Sequence, residues 1–192
     1  MTIHPIEAES YRILAGRVDL SRLGPGVAAV VARVIHASAD LDYASSMVLD
    51  EDAVAAGVAA LGAGGPVVTD VEVVRHGITG AAALCYLPEA VTGTSTRSAA
   101  GIRLAAAHHP HGAVVVVGCA PTALEEVVRL HRRDGFRPAL VVGMPVGFVG
   151  AAEAKESLRA TDLTAISNVG EKGGSAVAAA VVNALVRLAQ DG

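Results

Sequence analysis

Backbone amides freed by glycine, together with a few imidazoles, guanidiniums and hydroxyls, are the groups in this sequence best suited to hold an anion or pass a proton. Two blocks concentrate the glycines: VVVVGCAPTAL, Val114–Leu124, and LVVGMPVGFVGAAEAK, Leu140–Lys155. Each is a β-branched apolar run, broken by glycine and proline, that leads into helix-forming residues. That is the pattern of a buried parallel strand feeding a ligand-facing turn. In the first block Gly118 and Pro121 shape a tight strand-to-helix junction, Thr122 opens the helix, and amides exposed there can receive an anion. In the second, Gly143, Gly147 and Gly150 allow close backbone approach, while Met144, Val146 and Phe148 offer apolar contact. Gly173 and Gly174 repeat the arrangement before the last helix. Thr69 and Asp70 fall at the carboxyl end of a strand, where open α/β sheets bind ligands. Most glycines in such loops serve only turns and packing, and that reading stands beside the functional one. Neither block is a Walker A motif and the spacing Gly143 to Gly150 is not GxGxxG, so nucleotide binding is disfavoured.

Among the side chains, His36 closes an apolar helix, where spacing alone favours a ring bonded to a backbone carbonyl over a catalytic one. Ser38 and Asp40 beside it invite a triad reading, but residues this close in a chain rarely reach triad geometry, and a hydrolase is rejected. His108, His109 and His111 form a compact cluster with no nearby Cys, Asp or Glu to complete a metal site, so capping a helix is the better reading and no metal is assigned. Cys85 and Cys119 lack CxxC spacing and read as free thiols.

Composition narrows the classes further. The 192 residues suit one domain spanning 1–192 rather than two cores. Hydrophobic residues make up 52%, mostly Ala and Val, yet glycine, proline or charge interrupts every stretch before it reaches bilayer length. A membrane is therefore excluded as partner, and with no signal-peptide pattern at the start the expected location is the cytoplasm. The net charge of -4 is interspersed without a Lys or Arg block and aromatics are few, which excludes nucleic acid. Part of the apolar excess suits a subunit interface.

The elements that must position these groups follow from periodicity. Helices are predicted over 6–15 and from a cap at Asp19 or Ser21 to about His36, then over 50–64 with acids at the start and glycines at the end. Pro66 opens a strand followed by a turn carrying Asp70, Glu72 and His76, with a less regular region to Thr96. Helix 98–109, strand 114–117, helix 122–133, strand 139–142, helix 151–159, strand 165–168 and a closing helix after Gly173 and Gly174 complete the chain. This alternation predicts an α/β fold, a single-domain three-layer αβα arrangement around a mostly parallel sheet.

HPIEAESYRIL, VIHAS, TSTRSA, GCAPTAL, GMPVGFVGAAEAK and GEKGGSAVAAAVVNAL, in that order along nearly the whole chain, resemble the successive motifs of the precorrin-8X methylmutase family of cobalamin biosynthesis. The GMPVGFVGA block is far more specific than a generic glycine motif. The resemblance implies an isomerase that moves a methyl group from C-11 to C-12 of a tetrapyrrole, giving hydrogenobyrinate or its cobalt counterpart, with no cofactor. It also implies a homodimer with sites near the interface. It assigns His36 as the proton donor or hydrogen-bond partner of a pyrrole nitrogen, a role suited to an imidazole near neutral pH. It assigns Arg97 as a carboxylate anchor and Ser10 as a substrate-binding hydroxyl. Thr69, Asp70 and the glycine turns become places for a flat ligand with acidic arms. Cys119 departs from the asparagine associated with its motif, and the stretch from Gly80 to Thr96 is shorter than in relatives. The rival reading is a noncatalytic tetrapyrrole carrier.

Overall fold

The computed structural model describes residues 4–91 and 93–191. Three apolar runs, β2 (Val67–Thr69), β4 (Val114–Val117) and β5 (Leu140–Gly143), form the middle of one six-stranded sheet, with β6 (Ala165–Asn168) beside β5 and β3 (Ala83–Cys85) beyond β2. These five strands are parallel, and β1 (Met47–Val48) closes the β6 edge antiparallel, Met47 opposite Asn168. The order β1-β6-β5-β4-β2-β3 reverses direction between β2 and β4.

The runs are continuously apolar because both faces are covered. Val67, Val114, Val116, Leu140 and Val142 face one layer: α2 (Pro25–Ser38), α4 (Glu51–Gly62), α5 (Glu72–Gly77) and α9 (Ser175–Asp191). Val68, Val115, Val117 and Val141 face the other: α6 (Arg97–His108), α7 (Pro121–Asp134) and α8 (Ala151–Arg159). The period-2 alternation of a strand thus separates two cores. The short α1 (Pro5–Ala15) packs outside α2. The three-layer, mostly parallel arrangement expected from the sequence is present.

The differences have local causes. α2 starts at Pro25, not near Asp19 or Ser21, because proline at the first helical position needs no amide partner; Asp19 instead accepts from the Ser21 amide in a turn. Its other end runs past His36 to Ser38 and stops at Ala39 in the left-handed region, φ 54°. The predicted turn after Asp70 is the helix α5, whose Glu72 lies in the first turn and Arg75 in the last. The short α3 (Tyr43–Ser46), β1 and β3 escape periodicity, since two to four residues carry no recognisable period.

Candidate active site

Ser10 and His36 lie 26 residues apart but touch: Ser10 Oγ and His36 Nδ1 are 2.7 Å apart. The ring of Tyr11 stacks on the imidazole, centroids 5.1 Å apart and planes inclined by 23°. The hydroxyl and the stacked ring fix the imidazole's orientation and engage one of its nitrogens. Among the described residues, Nε2 makes no hydrogen bond and remains available for a substrate. Beyond Tyr11 opens a cavity of about 550 Å³ between α1, α2, α9 and the turn after α5, within the range of small-molecule sites. Its floor is Ala29, Ala32, Ala184 and Gly80; Thr79, Asn183, Arg33 and Arg187 supply polar groups. Asn183 holds the turn by accepting from the Thr79 amide at 2.9 Å and donating to the Gly77 carbonyl at 2.9 Å.

The turn after α2 is tied to the far side of the sheet. Lys172, in the β6–α9 loop, donates to Asp40 Oδ2 at 2.6 Å and Asp42 Oδ2 at 2.7 Å, and these carboxylates push its ammonium pKa up. The backbone oxygen of the same residue accepts from Lys155 Nζ at 2.6 Å. Lys155 is fully buried on α8, also donates to Asn168 Oδ1 at 3.1 Å, and is pulled down to about 8 chiefly by burial, with Arg159 adding to the effect. His36, Ser38 and Asp40 do not form a triad: Ser38 Oγ donates to the Val34 carbonyl and His36 turns to Ser10.

The glycine blocks are built differently from the expectation. The carboxylate of Asp70, 1% exposed, accepts from the amides of Gly118, Cys119 and Ala120 at 3.1, 3.0 and 2.9 Å. Burial pushes its carboxyl pKa up, against the pull of those amides. The amides expected to receive an external anion are therefore engaged by the chain's own aspartate, at the point between β2 and β4 where the sheet reverses. Thr69 Oγ1 is likewise turned inward, toward the carbonyls of Val71 and Leu84. A Cβ on Gly118 would stand 2.7 Å from Val74 and 2.8 Å from Ala178, and one on Gly143 2.7 Å from Leu158, so both glycines serve packing.

Met144 is fully buried, with no side-chain surface for a ligand. Gly173, φ 156°, brings its Cα so close to the Met144 and Pro145 carbonyls that a Cβ would fall 2.4 Å and 2.6 Å from their oxygens, and the Gly174 amide donates to Met144 O at 2.8 Å. Gly173 accommodates another backbone, whereas at Gly174, φ 123°, a Cβ would meet nothing nearer than Val146 Cγ1 at 3.9 Å. Gly147 donates its amide to Glu171 O, and Phe148 is 93% exposed beside Val149 at 87%. Pro121 takes the first position of α7, and Thr122 Oγ1 lies 2.8 Å from Thr96 Oγ1, the cap of α6. Arg97 is exposed at the start of α6, with Nε donating to Pro88 O at 2.7 Å. None of the site residues expected from the sequence lines the 550 Å³ cavity itself; Ser10 and His36 reach it through Tyr11.

Sequence reading passed over Tyr11, Arg33, Arg187 and Lys155. Arg33 precedes His36 by three residues, one helical turn on the same side of α2, which is a usable signal. Lys155 falls on the buried stripe Ala151, Ala154, Leu158 of α8, where a charge is out of place.

The family model for precorrin-8X methylmutase matches residues 5–188. A cobalt-precorrin-8 methylmutase of Methanothermobacter thermautotrophicus is 40% identical over 179 residues, covering 90% of this chain and 86% of that one. A precorrin-8X methylmutase of Sinorhizobium sp is 36% identical over 196 residues, covering 95% and 93%. Among solved structures, the precorrin-8x methyl mutase of Thermus thermophilus superposes with a TM-score of 0.89 at 36% identity, covering 98% of both chains.

Proposed function

The chain belongs to the precorrin-8X methylmutase family, and from that premise we propose that His36 is its catalytic residue, acting on precorrin-8X or cobalt-precorrin-8. The enzyme is an isomerase of cobalamin biosynthesis. The observation that carries the assignment of His36 is its geometry: an imidazole braced by Ser10 at Nδ1 and by the Tyr11 ring, with Nε2 free among the described residues, next to the cavity of about 550 Å³.

In the reaction the bond from the methyl group to C-11 breaks and a bond to C-12 forms, so no atom enters or leaves. What changes is the distribution of electrons around the conjugated ring, and a donor at a ring nitrogen stabilises that change. When the Ser10 hydroxyl donates to Nδ1, the neutral ring carries its proton on Nε2 and offers it to the substrate nitrogen. Since a hydroxyl can donate or accept, Ser10 holds the ring in place while the group met by Nε2 selects the tautomer. Arg97, with one guanidinium nitrogen anchored on Pro88, keeps donors for a carboxylate arm. We place the working enzyme in the cytoplasm as a homodimer; the exposed apolar group Val146, Phe148, Val149 and Val169 on two adjoining carboxyl-edge loops supports the second point.

The test is the visible spectrum of purified protein mixed in turn with precorrin-8X and cobalt-precorrin-8, followed by mass spectrometry. Conversion to a corrin chromophore at constant mass is expected for one of them, and His36→Ala is expected to lower kcat by about 10²–10⁴-fold while still binding. Native turnover by His36→Ala would remove the catalytic assignment; no conversion of either compound would remove the substrate assignment.

A further inference from the structure

The turn that follows His36 is held in a conformation its own residues do not favour. His36 lies in the last turn of α2, and the helix ends at Ala39 with φ 54° and ψ 22°. Ala39 is the one non-glycine residue at positive φ among the described residues. A side chain makes that conformation costly, so the neighbouring structure has to impose it. Glycine, the usual residue at such a helix end, would adopt it freely and leave the turn loose.

The constraint comes from the β6–α9 loop. Asp40 spends Oδ1 on the Asp42 amide, 3.0 Å away, and Oδ2 on Lys172 Nζ, so one carboxylate both closes the turn and anchors it. Asp42 Oδ2 takes a second bond from the same ammonium. The ammonium holds the Asp40 carboxyl below the usual carboxylate range, and the two carboxylates push the lysine up. Lys172 can hold the turn because its own backbone is fixed from inside. Its carbonyl accepts from Lys155 Nζ and from Asn168 Nδ2 at 2.8 Å, both donors on fully buried residues. The Glu171 carbonyl before it accepts from the Gly147 amide. The contacts thus run from the buried face of α8, through one backbone carbonyl and one side chain, to the end of α2. The Lys172 and Asp40 side chains are 51% and 29% exposed, and ion pairs as open as this contribute little to global stability. Their effect is on local geometry.

We propose that Lys172 is a positioning residue for His36: by holding Asp40 and Asp42 it fixes the last turn of α2, and with it the angle at which the imidazole meets Ser10 and Tyr11 and presents Nε2. Without the ammonium, Ala39 relaxes out of the left-handed region and the imidazole loses its place against α1. The effect on turnover rests on the role proposed above for His36.

The test uses purified native protein, Lys172→Met, Asp40→Asn and His36→Ala. Imidazole proton resonances are recorded by NMR without substrate, and turnover is measured on the same preparations. The signal missing from His36→Ala identifies His36 among the seven histidines. The stacked Tyr11 ring shields that imidazole in the native protein, and in Lys172→Met the signal is expected to move toward the position of an unstacked ring. Its kcat is expected to fall about ten- to a hundredfold, the cost of a misplaced group, with KM held within about twofold. Asp40→Asn, which turns an amide N–H2 toward the ammonium, is expected to reproduce both changes, and it carries the test should Lys172→Met fold poorly. A native His36 signal in both variants would overturn the positioning. A loss confined to KM would also overturn it, making Lys172 a substrate contact instead. Native turnover by His36→Ala would overturn the functional reading alone, because the His36 signal is read without substrate and decides the positioning by itself.

Discussion

Lys155 carries an ammonium at 0% exposure whose hydrogen bonds, among the described residues, go only to neutral oxygens, Asn168 Oδ1 and Lys172 O. Its folded pKa of about 8 lies below that of the unfolded chain. The unfolded state therefore holds this proton between roughly pH 8 and 10.4 while the folded state has released it. Stability from this group rises with pH across that window: the penalty of burying the charge is fully present below pH 8 and gone above the unfolded value. Urea unfolding of native protein and of Lys155→Met at pH 7.5 and 9.5 checks this. The stability difference, native minus variant, is expected to grow by about 2 kcal/mol, and a difference that stays level or shrinks would contradict the assignment. At this scale the sequence was partly legible. His36 and Ser10 stood out only through the motifs around them, because a lone imidazole or hydroxyl has no spacing signal. Asp70 was noticed for its place at a strand end, but the direction of its carboxylate depends on Gly118–Ala120, 48 to 50 residues away.

The two loops after β5 and β6 behave as one element. Gly173 and Gly174 lie against Met144 and Pro145, Gly147 bonds to Glu171, and Lys155 and Lys172 extend the link to the turn that follows His36. A methyl group at residue 173 has nowhere to go, since the atoms it meets are backbone oxygens, and φ 156° is unfavourable for a side chain. Gly173→Ala is expected to destabilise the protein by about 2 kcal/mol or more and to lower turnover as well; a thermal melt and a rate measurement on the same sample check both. A variant melting with the native protein would show that the loops can part. The sequence marked these glycines as special but not what approaches them. Close approach to a ligand and close approach to another loop demand the same residue. Long periodic segments such as α7 and β4 were readable because burial on one or both faces repeats. β1, α3 and β3 were not, because each is too short to repeat anything.

For the whole molecule, the alternation of strands and helices fixed the layer order and the sequence of motifs identified the family. The cavity stayed hidden, since its walls come from α1, α2, the turn after α5 and α9. No window of sequence holds it. The apolar loop group at the carboxyl edge makes the quaternary prediction: native protein is expected to sediment as a dimer, and Phe148→Asp to shift it toward monomer without loss of helical signal. A native monomer would disprove the interface. The bridge from Glu7 to Arg187 spans 180 residues, and it bears on how the protein is made. The first helix leaves the ribosome long before the last, so a nascent chain has the His36 imidazole early but no closed pocket until α9 has emerged and packed. The cavity is thus closed only once α9 has been made, and chains that stall before α9 lack one of its walls even when all six strands have already emerged.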